Sequence, residues 1–388
     1  MPTRLLIVHN EYIHRGGEEV CVERETHALR NAGLDVEQYI VRTQAGSNTM
    51  KNASAAIWGD GLLAGLRDKL SVWKPQILHA HNLFPLLSPR LFSDARRLGI
   101  HTVLTLHNFR PLCLNGLFLT PQNENCMRCA GGNFMHGIVR GCYRKNRTQS
   151  LGMAVHLSMA RLRGWYRAVD AFIAPSKFLR DQFIAHGFPS KRFHIQGHFL
   201  PDTIASEPVR PQPYVLYLGR LSEEKGVRWL VNQFKNPKLP FQLHIAGDGP
   251  LRDWVQASVG STISYLGRLT GIEKERELKH ATALAVTSEC YENFPLAVIE
   301  ANAWGTPALV NGQGGMSEIV ASGINGRAFQ THDADSFWKE LALFASPDPL
   351  KARRFCQDFS RHHFSQEVFL KTRLSLYEDL LIPSRSIV

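Results

Sequence analysis

The stretch SECYENFPLAVIEANAWG, Ser288 to Gly305, sets two carboxylates, Glu292 and Glu300, at the mouth and in the body of a short apolar helix. Pro295 suits the first helical position, Gly305 the position just past the end, and Pro307 forbids continuation. Leu296, Ala297, Val298, Ile299, Ala301, Ala303 and Trp304 leave no wide polar face, so the helix is expected to be buried on most sides. A buried carboxylate without a partner is costly, and Glu300 therefore needs a proton, a cation or hydroxyl groups to bind. Arg220 and Lys225 flank a turn in GRLSEEKG, Gly219 to Gly226, where two cations can converge on one phosphate-sized group. Gly16 and Gly17 precede a helix starting at about Glu18, which frees backbone N–H groups for an anion and adds the helix dipole. Both segments can equally be plain solvated turns.

Three histidines and four cysteines complete the reactive set. His79 and His81 lie two apart in a strand, HAHN, so cleft or core claims both together. His107 ends another strand as TLHN, and Glu11 and Tyr12 follow the first strand. Cys113, Cys126, Cys129 and Cys142 are spaced C-x12-C-x2-C-x12-C in a Gly-rich insertion. Such a set can close a tetrahedral thiolate site around a structural zinc, remain as unligated thiols, or form a redox pair. Cys21, Cys290 and Cys356 read as packing residues.

The elements that must hold these residues alternate strand and helix twice. Arg4–His9, Glu37–Val41, Gln76–His81, Thr102–His107 and Ala171–Ala174 read as buried strands, with helical stretches such as Glu18–Ala32 and Ser88–Leu98 between them. After the Pro-rich stretch 201–213 the pattern restarts with Tyr214–Leu218, Gln242–Ala246, Ile263–Leu266, Thr282–Thr287 and Ala308–Val310. This alternation predicts an α/β chain of two successive doubly wound parallel sheets, residues 1–200 and 214–364, joined by the 201–213 linker. Ligands of such sheets bind beyond the carboxyl ends of the strands, where GRLSEEKG, GDGP and the two-glutamate stretch fall. No GxGxxG fingerprint is present, which argues against a dehydrogenase.

Composition narrows the partners. The 388 residues, 44% hydrophobic, suffice for two cores, and no apolar run reaches the ~18 to 20 residues of a membrane span. A cytoplasmic chain with reduced or metal-bound cysteines is expected. Residues 1–200 hold 25 Lys/Arg against 13 Asp/Glu, so nearly all of the +11 net charge sits in the first half. This suits an anionic membrane surface or anionic substrate; no nucleic-acid module accompanies it. From Leu151 to Val169 a helix is expected, with Leu151, Val155, Met159, Leu162, Tyr166 and Val169 as a core stripe and the neighbouring Arg140–Arg147 cations free to touch lipid.

The ordered series GRLSEEKG, IAGDGP, LGRL, ECYENFPLAVIEANAWGTPALV and GGMSEIVASGINGRAF, with HNEYIHRGGEE, HAHN and TLHN before it, resembles the family 4 glycosyltransferases along essentially the whole chain. The resemblance implies a GT-B fold, two Rossmann-like domains facing across a cleft, with the 108–147 insertion in the first. Helix 365–388 is then expected to pack back on the first domain. It implies a retaining hexosyltransferase moving a sugar from a UDP- or GDP-sugar to a saccharide or lipid-linked acceptor, in cell-surface polysaccharide or glycolipid synthesis. Glu300 then binds the ribose diol, and Glu292, Asn293 and Phe294 border the donor sugar. Arg220, Lys225, Gly17 and the N–H groups of Phe294 and Leu296 bind the diphosphate, with no active-site metal. Glu292 and His107 are the catalytic candidates, and Glu11, Tyr12 and His81 lie on the acceptor side. The EN pair replaces a commoner EG, and Pro295 a frequent glycine, so contacts to the sugar are altered. A GT-B epimerase or phosphorylase, or a non-catalytic nucleotide-sugar-binding protein, are the alternatives.

Overall fold

Ten of the twelve strands among the described residues form where strands were expected, Phe193–Ile195 and Gly326–Phe329 being the additions, and the twelve assemble into two six-stranded parallel sheets in a computed structural model. The structure describes residues 2–13, 16–42, 62–201, 207–345 and 348–382; residues 202–206 of the expected linker and the tail 383–388 lie outside the described residues. The chain divides into two compact units, 1–197 with 369–388, and 198–368.

In the first unit β1 (Arg4–Glu11), β2 (Asp35–Arg42), β3 (Ile77–Ala80), β4 (His101–Thr105), β5 (Ala171–Ala174) and β6 (Phe193–Ile195) lie in the order β2-β1-β3-β4-β5-β6. The uninterrupted apolar runs of β1, β3 and β5 are buried on both faces, as central strands of a parallel sheet must be. β6 escapes the sequence reading because it is a three-residue edge strand with two exposed positions. Helices α1 (Gly17–Asn31), α2 (Leu62–Trp73), α3 (Arg90–Arg97), α4 (Met135–Arg140), α5 (Arg147–Leu162) and α6 (Lys177–Ala185) connect the strands. One sheet face carries Leu5, Ile7, Val22, Leu29 and Ile173, and the last helix of the chain adds Leu376 and Tyr377 to the same core.

The stripe expected to be core in 151–169 is core only in part: Val169 is buried and Met159 and Tyr166 are half-buried. The helix stops at Leu162, and after Gly164, at φ 61°, a separate 3-10 turn covers Trp165–Ala168. Leu151, Val155 and Leu162 are exposed, while Met153, Ala154, Leu157 and Ala160 are buried. α5 is apolar on two sides, and the side that packs is the one meeting Phe84 and, from the insertion, Leu114 and Phe134.

In the second unit β7 (Tyr214–Leu218), β8 (Gln242–Ala246), β9 (Ile263–Gly267), β10 (Ala283–Val286), β11 (Ala308–Asn311) and β12 (Gly326–Phe329) lie in the order β12-β11-β10-β7-β8-β9. Alternation along β7 sends Val215 and Tyr217 into one core, with Phe234 and Phe337, and Tyr214 and Leu216 into the other, with Val298 and Ile299. The covering helices are α7 (Val227–Lys235), α8 (Arg252–Gln256), α9 (Gly271–His280), α10 (Leu296–Ala303), α11 (Met316–Ile319), α12 (Ala334–Ala342) and α13 (Pro349–Phe364); α14 (Gln366–Leu381) closes the chain.

Candidate active site

The strand order of the second unit reverses between β7 and β10, and in doubly wound sheets that switch point is where loops part to admit a ligand. The loop after β7 carries Lys225; the loop after β10 carries Glu292. They approach so closely at Gly226 that a Cβ there would stand 1.9 Å from the Thr287 carbonyl oxygen, and Gly226 is left-handed at φ 68°. Glycine is thus the residue that lets the loops meet. Lys225 Nζ consequently pairs with Glu292 Oε1, and Ser288 Oγ donates to the same oxygen at 2.7 Å. Burial alone would depress the Lys225 ammonium, but the adjacent Glu292 carboxylate outweighs it and raises the pKa. Burial would likewise raise Glu292, but Lys225 and the Ser288 hydroxyl bring it below the usual carboxylate range. Both groups are therefore charged at neutral pH.

The remaining candidates of this unit surround that pair unevenly. Arg220 lies on the loop after β7 but is exposed and makes no ion pair among the described residues. Asn293 is buried, and the Phe294 ring packs edge-on to His198 and Phe364, which leaves its backbone as the group available to a ligand. Leu296 is the first residue of α10, whose cap Pro295 offers no side-chain acceptor, so first-turn N–H groups stay open. Glu300 corrects the sequence reading twice. Its face of α10, with Leu296 and Ala297, is half-buried, while Val298, Ile299, Ala301 and Asn302 form the buried side. Its carboxylate also has a cation, Lys274 Nζ of α9 at 2.6 Å, which no local spacing could reveal.

The first unit has its switch point between β1 and β3. His81, just past β3, and His107, just past β4, share a hydrogen bond of 3.0 Å between Nδ1 and Nε2 with their rings stacked. Burial, with His9 nearby, lowers the His107 pKa to about 4. His79 separates from them in role. It is fully buried between Tyr377 Oη at 2.7 Å and Thr105 Oγ1 at 2.8 Å, with Glu25 Oε1 at 3.2 Å. Glu25, His79 and His81 bring ligand atoms within 4.8 Å of one another, but Arg373 already pairs with Glu25 and lies 3.4 Å from His79, so the cluster contains its own cation.

On the acceptor-side candidates the structure is selective. Glu11 pairs with the exposed Arg42 at 2.6 Å and lines a cavity with His9 and Glu19, not the one that His81 and His107 line. Glu19 accepts from the N–H groups of Gly16 at 2.7 Å and Tyr12 at 3.0 Å; the His9 side chain first, then these backbone bonds, outweigh its burial and lower its pKa to about 2. The anion held by the loop before Gly17 is thus the chain's own. Sequence reasoning missed Glu18, Asn108 and Arg110, which line a cavity together with His81 and His107. Asn108 Nδ2 donates to Glu18 Oε1 at 3.0 Å, and burial raises Glu18. Glu18 Oε2 and Arg110 Nε, both shielded from solvent, have no hydrogen-bond partner. Tyr12 stands beside them, its phenol raised by burial and then by Glu18. The only local signal was their position, immediately after the glycine pair and the TLHN strand end.

The four insertion cysteines are free thiols gathered in one place. Burial first, then the neighbouring cysteines, push Cys129 and Cys142 up to about 11. Cys113 donates to Asn115 Oδ1, and Arg140 reaches the Cys126 sulfur at 3.8 Å. Ligand type and number fit zinc, but the set with ligand atoms within 4.8 Å among the described residues is the Glu25 group, so the sulfurs stand wider than a closed tetrahedral site requires.

Comparison with known proteins agrees with this geometry. Residues 15–198 match the Glycosyltransferase Family 4 model, and residues 212–345 the model for Glycosyl transferases group 1. The chain is 24% identical over 360 residues to the alpha-maltose-1-phosphate synthase of Mycolicibacterium smegmatis, covering 82% of this chain and 84% of that protein. It is 31% identical over 164 residues to the GDP-mannose-dependent alpha-mannosyltransferase of Corynebacterium glutamicum, an alignment spanning 40% of this chain and 39% of that one. Among solved structures, a lipopolysaccharide outer core galactosyltransferase superposes with a TM-score of 0.66 at 17% identity, covering 98% of this chain and all of that one. An Anabaena protein in complex with UDP-glucose gives 0.63 at 14% identity, covering 97% and 99%. Two parallel six-stranded sheets of this kind are the GT-B fold, and with both family models matched in order the chain belongs to the group 1, family 4 glycosyltransferases.

Proposed function

We propose that this glycosyltransferase moves a hexose from a nucleoside-diphosphate sugar, UDP- or GDP-linked, to a hydroxyl of a saccharide or lipid-linked acceptor with retention of anomeric configuration. The name of one relative, a GDP-mannose-dependent enzyme, supports a nucleoside-diphosphate donor, and that of another, a lipopolysaccharide galactosyltransferase, supports synthesis of cell-surface polysaccharide or glycolipid. The observation that carries the reading is the charged Lys225–Glu292 pair at the β7/β10 switch point.

In this proposal Lys225, Arg220 and the open N–H groups at Phe294 and Leu296 neutralise the diphosphate, so that no metal is required. Glu300, with Lys274 Nζ beside its carboxylate, accepts the ribose hydroxyls. As the anomeric C–O bond to phosphate breaks, Glu292 favours the positive charge growing on the sugar. The acceptor hydroxyl attacks the same face and gives its proton to the departing phosphate. Glu18 and Arg110 offer one open acceptor and one open donor, a match for a hydroxyl group, which both donates and accepts. His107, held neutral, can accept a hydrogen bond without adding charge.

Glu292→Gln and Lys225→Ala test the site in a transfer assay with a panel of UDP- and GDP-sugars. Each is expected to lower turnover on the order of 10² to 10³-fold. Near-parental turnover in both would remove these residues from the mechanism. The insertion cysteines are proposed to draw together around one structural zinc; protein purified without added metal is expected to contain one equivalent, and a content near zero would refute it.

A further inference from the structure

The misread stripe of α5 is the starting point. Leu151, Val155 and Leu162 are 50%, 43% and 82% exposed and, at i, i+4 and i+11, lie within one narrow strip of the helix surface, in line with Arg147 one turn earlier. α4, packed against α5, exposes Met135 and Val139, again one turn apart, at 58% and 57%. Around these chains the charge is of one sign. From residue 125 to residue 169 the sequence contains no Asp or Glu, and Arg128, Arg140, Arg144, Lys145, Arg147, Arg163 and Arg167 are all exposed. In an ordinary solvated surface cations and anions are interspersed and exposed apolar chains stand singly.

We infer that the face formed by α4 and α5 docks onto the surface of an anionic lipid bilayer, with Met135, Val139, Leu151, Val155 and Leu162 entering the headgroup boundary and the flanking Arg/Lys pairing with lipid phosphates. Charge complementarity selects this occupant. Long basic side chains can lay their stems along the apolar strip while their heads reach phosphate. Nucleic acid fits less well, because an exposed aliphatic strip gains nothing from a phosphate backbone and no Phe, Tyr or Trp of 125–169 is exposed for base stacking. Docking would bring the enzyme to a lipid-linked acceptor, a purpose that rests on the proposed function; the surface itself does not.

The full chain is pelleted with vesicles of phosphatidylcholine alone and of phosphatidylcholine mixed with phosphatidylglycerol, at rising salt and with a short DNA duplex as competitor. Binding to the mixed vesicles that weakens with salt is expected. At about fivefold per cation, R144Q/K145Q/R147Q should weaken it on the order of a hundredfold. L151S/V155S/L162S should weaken it while leaving the salt dependence in place. Equal pelleting with neutral vesicles, no pelleting, insensitivity to both triple variants, or displacement by the duplex would each overturn the inference. Thermal shift with UDP and GDP on the same samples separates the two readings: a chain that pellets but binds no nucleoside diphosphate sinks the function and spares the surface, and the converse spares the function.

Discussion

Lys225 and Glu292 neutralise each other in the ligand-free protein, so a diphosphate must take Lys225 from a carboxylate that already holds it. Binding is then an exchange of anions, and Glu292→Gln, which abolishes the competitor, should bind free UDP or GDP more tightly even as turnover falls. The histidines give the first unit a pH dependence of definite sign. His79 and His81 are lowered well below 6.5 and His107 to about 4, chiefly by burial, so the unfolded chain binds more protons than the folded one in this range. Their contribution is fully present above pH 6.5 and is lost as pH falls towards 4; Glu18, raised by burial, opposes it. Urea denaturation should show the protein less stable at pH 5 than at pH 7, with His107 alone accounting for about 2 kcal/mol. His107→Gln should flatten that part of the profile, and an unchanged profile would show that His107 is protonated without cost.

At the scale of elements, strands were legible and faces were not. β5 and β7 begin and end where the apolar runs do, because a strand buried on both faces must be apolar throughout. α5 misled because a helix with apolar residues on two sides carries no local mark of which side meets the core. The site was legible where it coincides with strand ends and glycine turns, as at Gly226 and Glu292, and illegible where a partner is distant in sequence, as with Lys274 and Glu300 or Arg373 and Glu25. The loop crossing at Gly226 is the element-scale device most sensitive to change. Gly226→Ala adds a methyl group against the Thr287 carbonyl at a left-handed φ. A loss of about 2 to 4 kcal/mol is expected in denaturant unfolding, together with weakened donor binding; a parental midpoint would mean that the loops part without penalty.

For the whole molecule, charge and topology act separately. The positive excess of the first 200 residues belongs to the unit that carries the insertion, while the second unit is nearly neutral in sum, with Arg220 and Lys225 on the loop at its switch point. Composition announced the excess but not its use, since the same count could have been scattered. The chain path adds something no composition carries. Because 369–388 belongs to the first unit, residues 198–368 form a unit enclosed within the chain of another. During synthesis the second unit is complete on the ribosome while the first still lacks Arg373, Leu376 and Tyr377. Glu25 and His79 must wait for partners made only after the second unit, so the first unit is the later of the two to finish, reversing the usual order in which domains are completed as they emerge.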